Sequence, residues 1–277
     1  MLPSRFTGYV EFVEGFRPRK DISHVLFDFD GTLSLIREGW IDVMVPLFAE
    51  LLPHLPGETD ATRQQLCRED ILQLNGKQTI YQMIRLAERV KERGGVPREP
   101  IWYKQEYLRR LNLRIGSRVS DLRLGRVQPD TFLVYGVRSL LESLQRRGIT
   151  MYLASGTDEP FVKEEAALLG LTPFFADHIY GAQYDYRKFS KKMLIEQILR
   201  EHQIPGSRLL AFGDGYVEIQ NTSEAGGLAV AVASDEAHNG SGIVDPWKRK
   251  RLLEVGAEVV IADYRDAESL LAMLLAE

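Results

Sequence analysis

The 277-residue chain has one cysteine, Cys67. A single thiol excludes an intramolecular disulfide and cannot by itself build a thiolate metal cluster. Its helical-looking surroundings place Cys67 as a buried or half-buried side chain that simply packs. Long apolar runs are missing too. No stretch approaches the roughly 20 apolar residues needed to cross a bilayer, and the N-terminus MLPSRFTGYVEFVEGFRPRKD lacks the apolar segment of a secretory leader. The expected compartment is therefore the cytoplasm. Charge of one sign is not in excess: 35 Lys and Arg against 39 Asp and Glu leave a net charge of −4. That balance excludes a general electrostatic footprint for nucleic acid or an anionic membrane, so any anionic substrate has to meet local cations. Internal repeats and low-complexity segments are absent. Nothing in the sequence decides between a monomer and a homodimer.

What is present is an alternation of two periodicities. Short apolar runs at 24–28, 149–154, 209–213, 228–232 and 258–261 end in small or acidic residues and predict buried parallel strands. Between them, 134–147, 159–169, 191–201 and 218–225 carry helical spacing. The fold class is α/β, with a Rossmann-like parallel sheet. The alternation breaks between residues 34 and 129, where amphipathic helices are predicted at 40–52, 62–74, 79–93 and 101–112. This helical insert leaves the C-terminal end of the first buried strand, where ligands bind in open α/β sheets. It is therefore expected to be a cap over a core made of residues 1–33 and 130–277. An alternating stretch at 8–13 is suited to an edge strand. Asp245-Pro246 predicts a helix start for the basic run Trp247-Lys248-Arg249-Lys250-Arg251, whose plain reading is a solvated helix face and whose other reading is a phosphate or partner contact.

Acids at strand ends carry the chemical signal. The run His24-Val25-Leu26-Phe27-Asp28-Phe29-Asp30-Gly31-Thr32-Leu33 delivers two carboxylates two residues apart. Such acids either cap the next turn or share a divalent cation, most simply Mg²⁺ with its oxygen ligands. A second strand delivers Ser155-Gly156-Thr157 just before a helix, which suits phosphate oxygens; the alternative for Ser155 is an N-cap. A third ends in Gly213-Asp214-Gly215 with Glu218 four residues beyond Asp214. Asp214 offers a direct metal ligand, and Glu218 either reaches the ion or orients its waters. Lys191 and Lys192 precede the helix that feeds this strand and could offset the accumulated negative charge.

Taken together, these motifs resemble those of the haloacid dehalogenase superfamily, in the same order. Asp28-Phe29-Asp30-Gly31-Thr32 matches the first motif, Ser155 the second, and Gly213-Asp214-Gly215 with Glu218 the fourth. The third is a lone lysine, best fitted by Lys191, with Lys188 and Lys192 as alternatives. The resemblance implies that Asp28 is the nucleophile, forming an aspartyl-phosphate, and that Asp30 is the general acid and base. It also implies Mg²⁺ held by Asp28, Asp214 and the main-chain carbonyl of Asp30, with Glu218 standing where the family often has Asp. Ser155 and Lys191, with amides around Asp30, Gly31 and Gly156, would hold the phosphoryl group of a small phosphorylated metabolite, and Thr32 completes the substrate-binding set in the core. In the insert, the polar turn Asn75-Gly76-Lys77-Gln78-Thr79 is the place expected to select substrate, with Asn75 and Lys77 as its candidates. The expected activity is a phosphatase acting on a phosphate monoester such as a sugar phosphate. A sugar phosphomutase is the alternative. A phosphonatase using Lys77 as a Schiff base and a non-catalytic binding module stand behind it. The loop 234–245 is expected near the site mouth, with His238 at the surface.

Overall fold

The computed structural model describes residues 5–7 and 9–276. In chain order its strands are β1 (Arg5–Thr7), β2 (Val10–Phe12), β3 (His24–Phe27), β4 (Thr150–Asp158), β5 (Ile179–Ala182), β6 (Leu209–Gly213), β7 (Leu228–Val232) and β8 (Val259–Ile261). The helices are α1 (Ile41–Leu51), α2 (Asp60–Gln73), α3 (Thr79–Glu92), α4 (Pro100–Arg123), α5 (Val137–Arg146), α6 (Glu159–Leu168), α7 (Thr172–Phe175), α8 (Lys191–Glu201), α9 (Tyr216–Glu224), α10 (Pro246–Glu254) and α11 (Ala267–Leu275). The strands form one sheet in the order β1-β2-β8-β7-β6-β3-β4-β5. It is parallel from β8 to β5, and the antiparallel pair β1–β2 extends it beyond β8. The strand expected at a sheet edge over 8–13 is β2, which lies one in from the edge because β1 pairs along its outer side; Gly8 lies outside the described residues.

β3 is central, and every one of its residues is buried, as a strand covered on both faces requires. Val25 and Phe27 turn to one side, into an apolar cluster with Leu140 and Leu144 of α5 and Leu270 and Leu271 of α11. Leu26 turns to the other, against Leu194, Ile195 and Ile198 of α8. From β3 the chain moves outward through β4 to β5, then crosses back to β6 on β3's other flank. The direction of winding reverses between β3 and β6, which makes the crevice at their C-terminal ends the natural ligand site.

Helices α1 to α4 intervene between β3 and β4, and Met44, Phe48, Met83, Leu86, Tyr107 and Leu111 join the same apolar cluster as the sheet. Thr59 and Thr62 start α2 by exchanging hydrogen bonds, each hydroxyl accepting from the other's backbone N–H. The helix expected at 101–112 runs on to Arg123. Leu111, Ile115, Val119 and Leu122 continue one apolar stripe past Gly116, whose missing side chain would meet open space. β4 also outlasts its expected end at 154, with a register irregularity between Ala154 and Asp158. Ser155, Gly156 and Thr157 therefore sit on an extended strand end, just before α6 as expected. Among the described residues no helix is long and apolar enough to cross a membrane. Cys67 is buried, and burial pushes its thiol up to about 11, which suits a packing role.

Candidate active site

Two neighbouring strands deliver the acids. Asp28 follows β3, its N–H donating to the Phe212 carbonyl of β6 (3.0 Å); Asp214 follows β6, its N–H donating to Thr32 Oγ1 (3.0 Å). Gly31 makes the turn between Asp30 and Thr32 at φ +75°, and a Cβ there would lie 2.4 Å from Asp214 Oδ2. Glycine is required at that position both for its backbone angle and for space. Glu218 lies in the first turn of α9, and its Oε1 accepts from the Gly215 N–H (2.8 Å). Asp28, Asp214 and Glu218 each place a carboxylate oxygen within 4.8 Å of the others, and all three are buried.

Lys191 answers part of that charge. Ser190 caps α8 by accepting from the Met193 N–H, which sets Lys191 at the first helical position, turned inward. Its Nζ lies 2.7 Å from Asp28 Oδ1 and 2.7 Å from Glu218 Oε2. Lys188 and Lys192 are exposed, so of the three candidate lysines it is Lys191 that reaches the acids. Burial works against its ammonium, but Asp28 and Glu218 together raise its pKa above the usual lysine range. Burial pushes Asp28 up to about 7 against the pull of Lys191, with Glu218 adding to the rise. Burial likewise raises Asp214 to about 7, opposed by Lys248, and raises Glu218, opposed by Lys191.

Asp30 is held differently. Its Oδ2 accepts from Ser155 Oγ (3.2 Å) and from Thr157 Oγ1 (2.9 Å). Its Oδ1 is buried with no hydrogen-bond partner among the described residues and lies 3.8 Å from Arg37 Nε. Arg37 is itself buried, and its guanidinium grips Glu165 of α6 through Nε (3.1 Å) and Nη2 (2.6 Å). A cavity of about 70 Å³ opens between the sheet and the helical insert, lined by Asp28, Asp30, Lys191 and Asp214 below and by Trp40, Asn75, Lys77 and Tyr107 among others above.

The sequence candidates separate on this geometry. Asp28, Asp30, Ser155, Gly156, Lys191 and Asp214 converge on the cavity, joined by Asn75 and Lys77 from the insert. Lys77 is exposed, its Nζ 5.5 Å from the centre of the Tyr81 ring. Gly31 and Thr32 stand behind the acids and do not line it: Thr32 holds Asp214, and its carbonyl accepts from the Tyr264 hydroxyl (3.1 Å). Glu218 is tied on both oxygens, to Gly215 and Lys191. The loop 234–245 sits behind the acids too, with Ser234 Oγ donating to the Gly31 carbonyl (2.9 Å). His238 is exposed and paired with Asp235.

Three residues escape a reading of the sequence. Arg37 and its partner Glu165 are 128 positions apart, a pairing no local pattern announces. Lys248 belongs to the basic run read as a solvated face, and that reading needs correcting. Only part of the run faces water: Trp247 and Lys250 are exposed, but Lys248 is buried with its Nζ 3.2 Å from Asp214 and 2.6 Å from Glu236. Arg249 pairs with Glu11, and Arg251 donates to the carbonyls of Leu72 and Gln73 in the insert. The run binds other parts of the chain because three acidic or carbonyl-rich elements meet it. That convergence is tertiary.

Known proteins share the fold. Solved structures superpose over nearly their whole length. One is a predicted phosphoglycolate phosphatase from Haemophilus somnus, with 15% identity, 90% of this chain and 98% of that one covered and a TM-score of 0.57. Another is a HAD family hydrolase from Deinococcus radiodurans with bound phosphate and sodium (18%, 91% and 96%, 0.55). A third is a β-phosphoglucomutase from Clostridium difficile (14%, 84% and 98%, 0.54). At such identities the likeness is one of fold. No curated protein sequence matches the chain. The family model for haloacid dehalogenase-like hydrolases matches residues 22–226, from the start of the first acidic strand through the helix after Asp214, and the chain belongs to that family.

Proposed function

We propose that the protein is a Mg²⁺-dependent phosphatase that hydrolyses small phosphate monoesters, sugar phosphates among them, through a phosphorylated Asp28. The observation that carries this reading is the division of labour between two acids at one cavity. Asp28 is buried against Lys191, while Asp30 is fixed through one oxygen by two hydroxyls and its other oxygen, 3.8 Å from Arg37 Nε, has no hydrogen bond. A buried carboxyl oxygen without a partner is costly in a folded protein unless a ligand or a proton supplies the missing bond. An acid that protonates a leaving group has that need.

The donor set fits a hard divalent cation. Three buried carboxylates within 4.8 Å of one another repel unless a positive charge joins them, and all their donor atoms are oxygen. Asp28, Asp214 and the main-chain carbonyl of Asp30 would hold the ion, with Glu218 holding Lys191 in place. When bound, Mg²⁺ supplies positive charge for the phosphoryl oxygens as negative charge develops on them.

The chain's own groups do the rest. An Asp28 carboxylate oxygen attacks phosphorus, while Lys191 and the Ser155 hydroxyl, its hydrogen turned from Asp30 to the substrate, hold the non-bridging oxygens in line. As the bond to the leaving oxygen breaks, Asp30 gives that oxygen its proton. Asp30, now ionised, takes a proton from water as the water attacks phosphorus, and inorganic phosphate leaves with Asp28 restored. Helices α1 to α4, in an insert we place at 34–129, act as the cap. The turn at 75–78 closes on the core, where Gln78 Nε2 donates to the Phe189 carbonyl (2.6 Å) and a Cβ on Gly156 would lie 2.5 Å from the Lys77 carbonyl oxygen. With each enclosed water needing at least about 10–15 Å³, a 70 Å³ cavity suits a compact ester.

Phosphate release from a panel of sugar phosphates, phosphoglycolate and nucleotides, with Mg²⁺ or EDTA, tests the reading. Release that needs the metal and disappears in Asp28→Asn supports it. Equal release in EDTA, or from Asp28→Asn, overturns it. Conversion of one sugar phosphate into its isomer without net release would make the protein a phosphomutase.

A further inference from the structure

Asp214 lines the cavity and Lys248 does not, so the lysine reaches that carboxylate from behind. Its Nζ lies 3.2 Å from Asp214 Oδ2, 2.6 Å from Glu236 Oε1 and 3.3 Å from Ser234 Oγ. This group packs against the turn that carries Asp30. Ser234 Oγ donates to the Gly31 carbonyl, and a Cβ on Gly31 would lie 2.4 Å from Asp214 Oδ2 and 2.9 Å from Glu236 Oε1. The site is built as two matched halves. Lys191 bridges Asp28 and Glu218, and Lys248 bridges Asp214 and Glu236. In these two halves two ammoniums face four carboxylates, so negative charge is in excess around the acids.

We infer that Lys248 is a positioning residue for the metal site, fixing the Asp214 carboxylate and setting, by its charge, how tightly a divalent cation is held. It touches neither substrate nor the transferring group. A lysine is expensive to bury, and a purely structural tie between α10 and the Asp235–His238 turn would need Glu236 alone. Contact with Asp214 instead ties the lysine to the ligand set. Removing the Lys248 charge leaves the site one unit more negative and the cation more strongly attracted; removing the Glu236 charge does the reverse. Thr32 still holds Asp214 in either variant, its hydroxyl accepting from the Asp214 N–H and donating to Asp214 Oδ1 (3.4 Å).

The inference rests on the metal reading above, and Mn²⁺ binding tests the two separately. Free Mn²⁺ is followed by its paramagnetic resonance signal, and melting temperature is recorded with and without the ion. Lys248→Met should bind Mn²⁺ about tenfold more tightly than the parent, by the electrostatics of one added charge at short range, and gain more melting temperature from it. Glu236→Gln, in a partly exposed turn, should bind about tenfold more weakly. The double variant, which removes one charge of each sign, should return near the parent value. A merely structural lysine would lower melting temperature alike with and without metal and leave affinity unchanged; that result overturns the inference while sparing the metal reading. A parent protein that binds no Mn²⁺ overturns both. If Lys248→Met does not fold, Glu236→Gln decides: weaker binding supports the inference, and unchanged or tighter binding overturns it.

Discussion

His24, at the start of strand β3, and Asp28, just past its end, lie four positions apart and treat burial in opposite ways. At the C-terminal end Asp28 is buried beside acids of like charge, and Lys191 stands 2.7 Å away to answer it. At the N-terminal end His24 is buried beside groups of its own kind. Its ring lies 4.4 Å from that of His202, Tyr152 stacks on His178 at 4.3 Å, and the Tyr152 hydroxyl pairs with His202 Nε2 (2.7 Å). Burial, with the neighbouring His202, Arg208 and His178, lowers the His24 pKa to about 4, so the imidazole packs as a neutral ring. A buried ionisable group with a counter-charge and an open cavity is equipped for chemistry. One with aromatic neighbours and no counter-charge belongs to the core.

Substitutions at the two ends should sharpen this contrast. The largest effect is expected from Asp28→Asn, which removes the proposed nucleophile and should cut phosphate release by on the order of 10⁴-fold or more, with melting temperature near the parent's. Next comes Asp30→Asn, with a loss of about 10²–10⁴-fold. In the phosphorylating step, read as the first-turnover burst of released alcohol, the loss should be severe for alkyl phosphates and mild for p-nitrophenyl phosphate, whose leaving group needs little protonation, while phosphate release falls on both because water attack also uses Asp30; equal burst losses on both would remove Asp30 from the role of acid. Arg37→Met leaves Glu165 charged and unanswered in the interior, and should cost about 3–5 kcal/mol in urea denaturation. Adding Glu165→Met should recover most of it, and a double variant as unstable as the single would show that the pair matters for shape alone.

The smallest effect belongs to His24. Its pKa is about 4 in the folded chain against an ordinary 6.5, so between those values the unfolded chain binds more protons and stability falls as pH drops. His24→Gln removes that contribution. Its melting temperature should decline less steeply than the parent's from pH 6.5 to 4, and parallel curves would break the comparison at this end.

Most of the sheet was legible because those strands are short, apolar and end in acids or small residues, a pattern that survives without tertiary information; β5 and β1, at its two edges, were not read. The acids that line the cavity were legible for the same reason: Asp28, Asp30 and Asp214 each follow a buried strand, and the structure brings all three to one cavity. What escaped lies in contacts between distant segments. The extension of α4 depends on apolar positions beyond Gly116 that only an opposing helix surface rewards. Arg37 and Lys248 look like ordinary surface cations until Glu165 and Asp214 are brought against them. Thr32 reads as a phosphate contact from its place in the motif, but its hydroxyl is taken by the Asp214 backbone.

The central claim is that phosphate passes through Asp28, and acid-quenched mass spectrometry tests it most directly. With p-nitrophenyl phosphate and Mg²⁺, Asp30→Asn should still be phosphorylated but slow to react with water. Its peptide containing Asp28 should carry the mass of one phosphoryl group, absent in Asp28→Asn. A phosphoryl group on any other residue, or turnover without one on Asp28, would contradict the account.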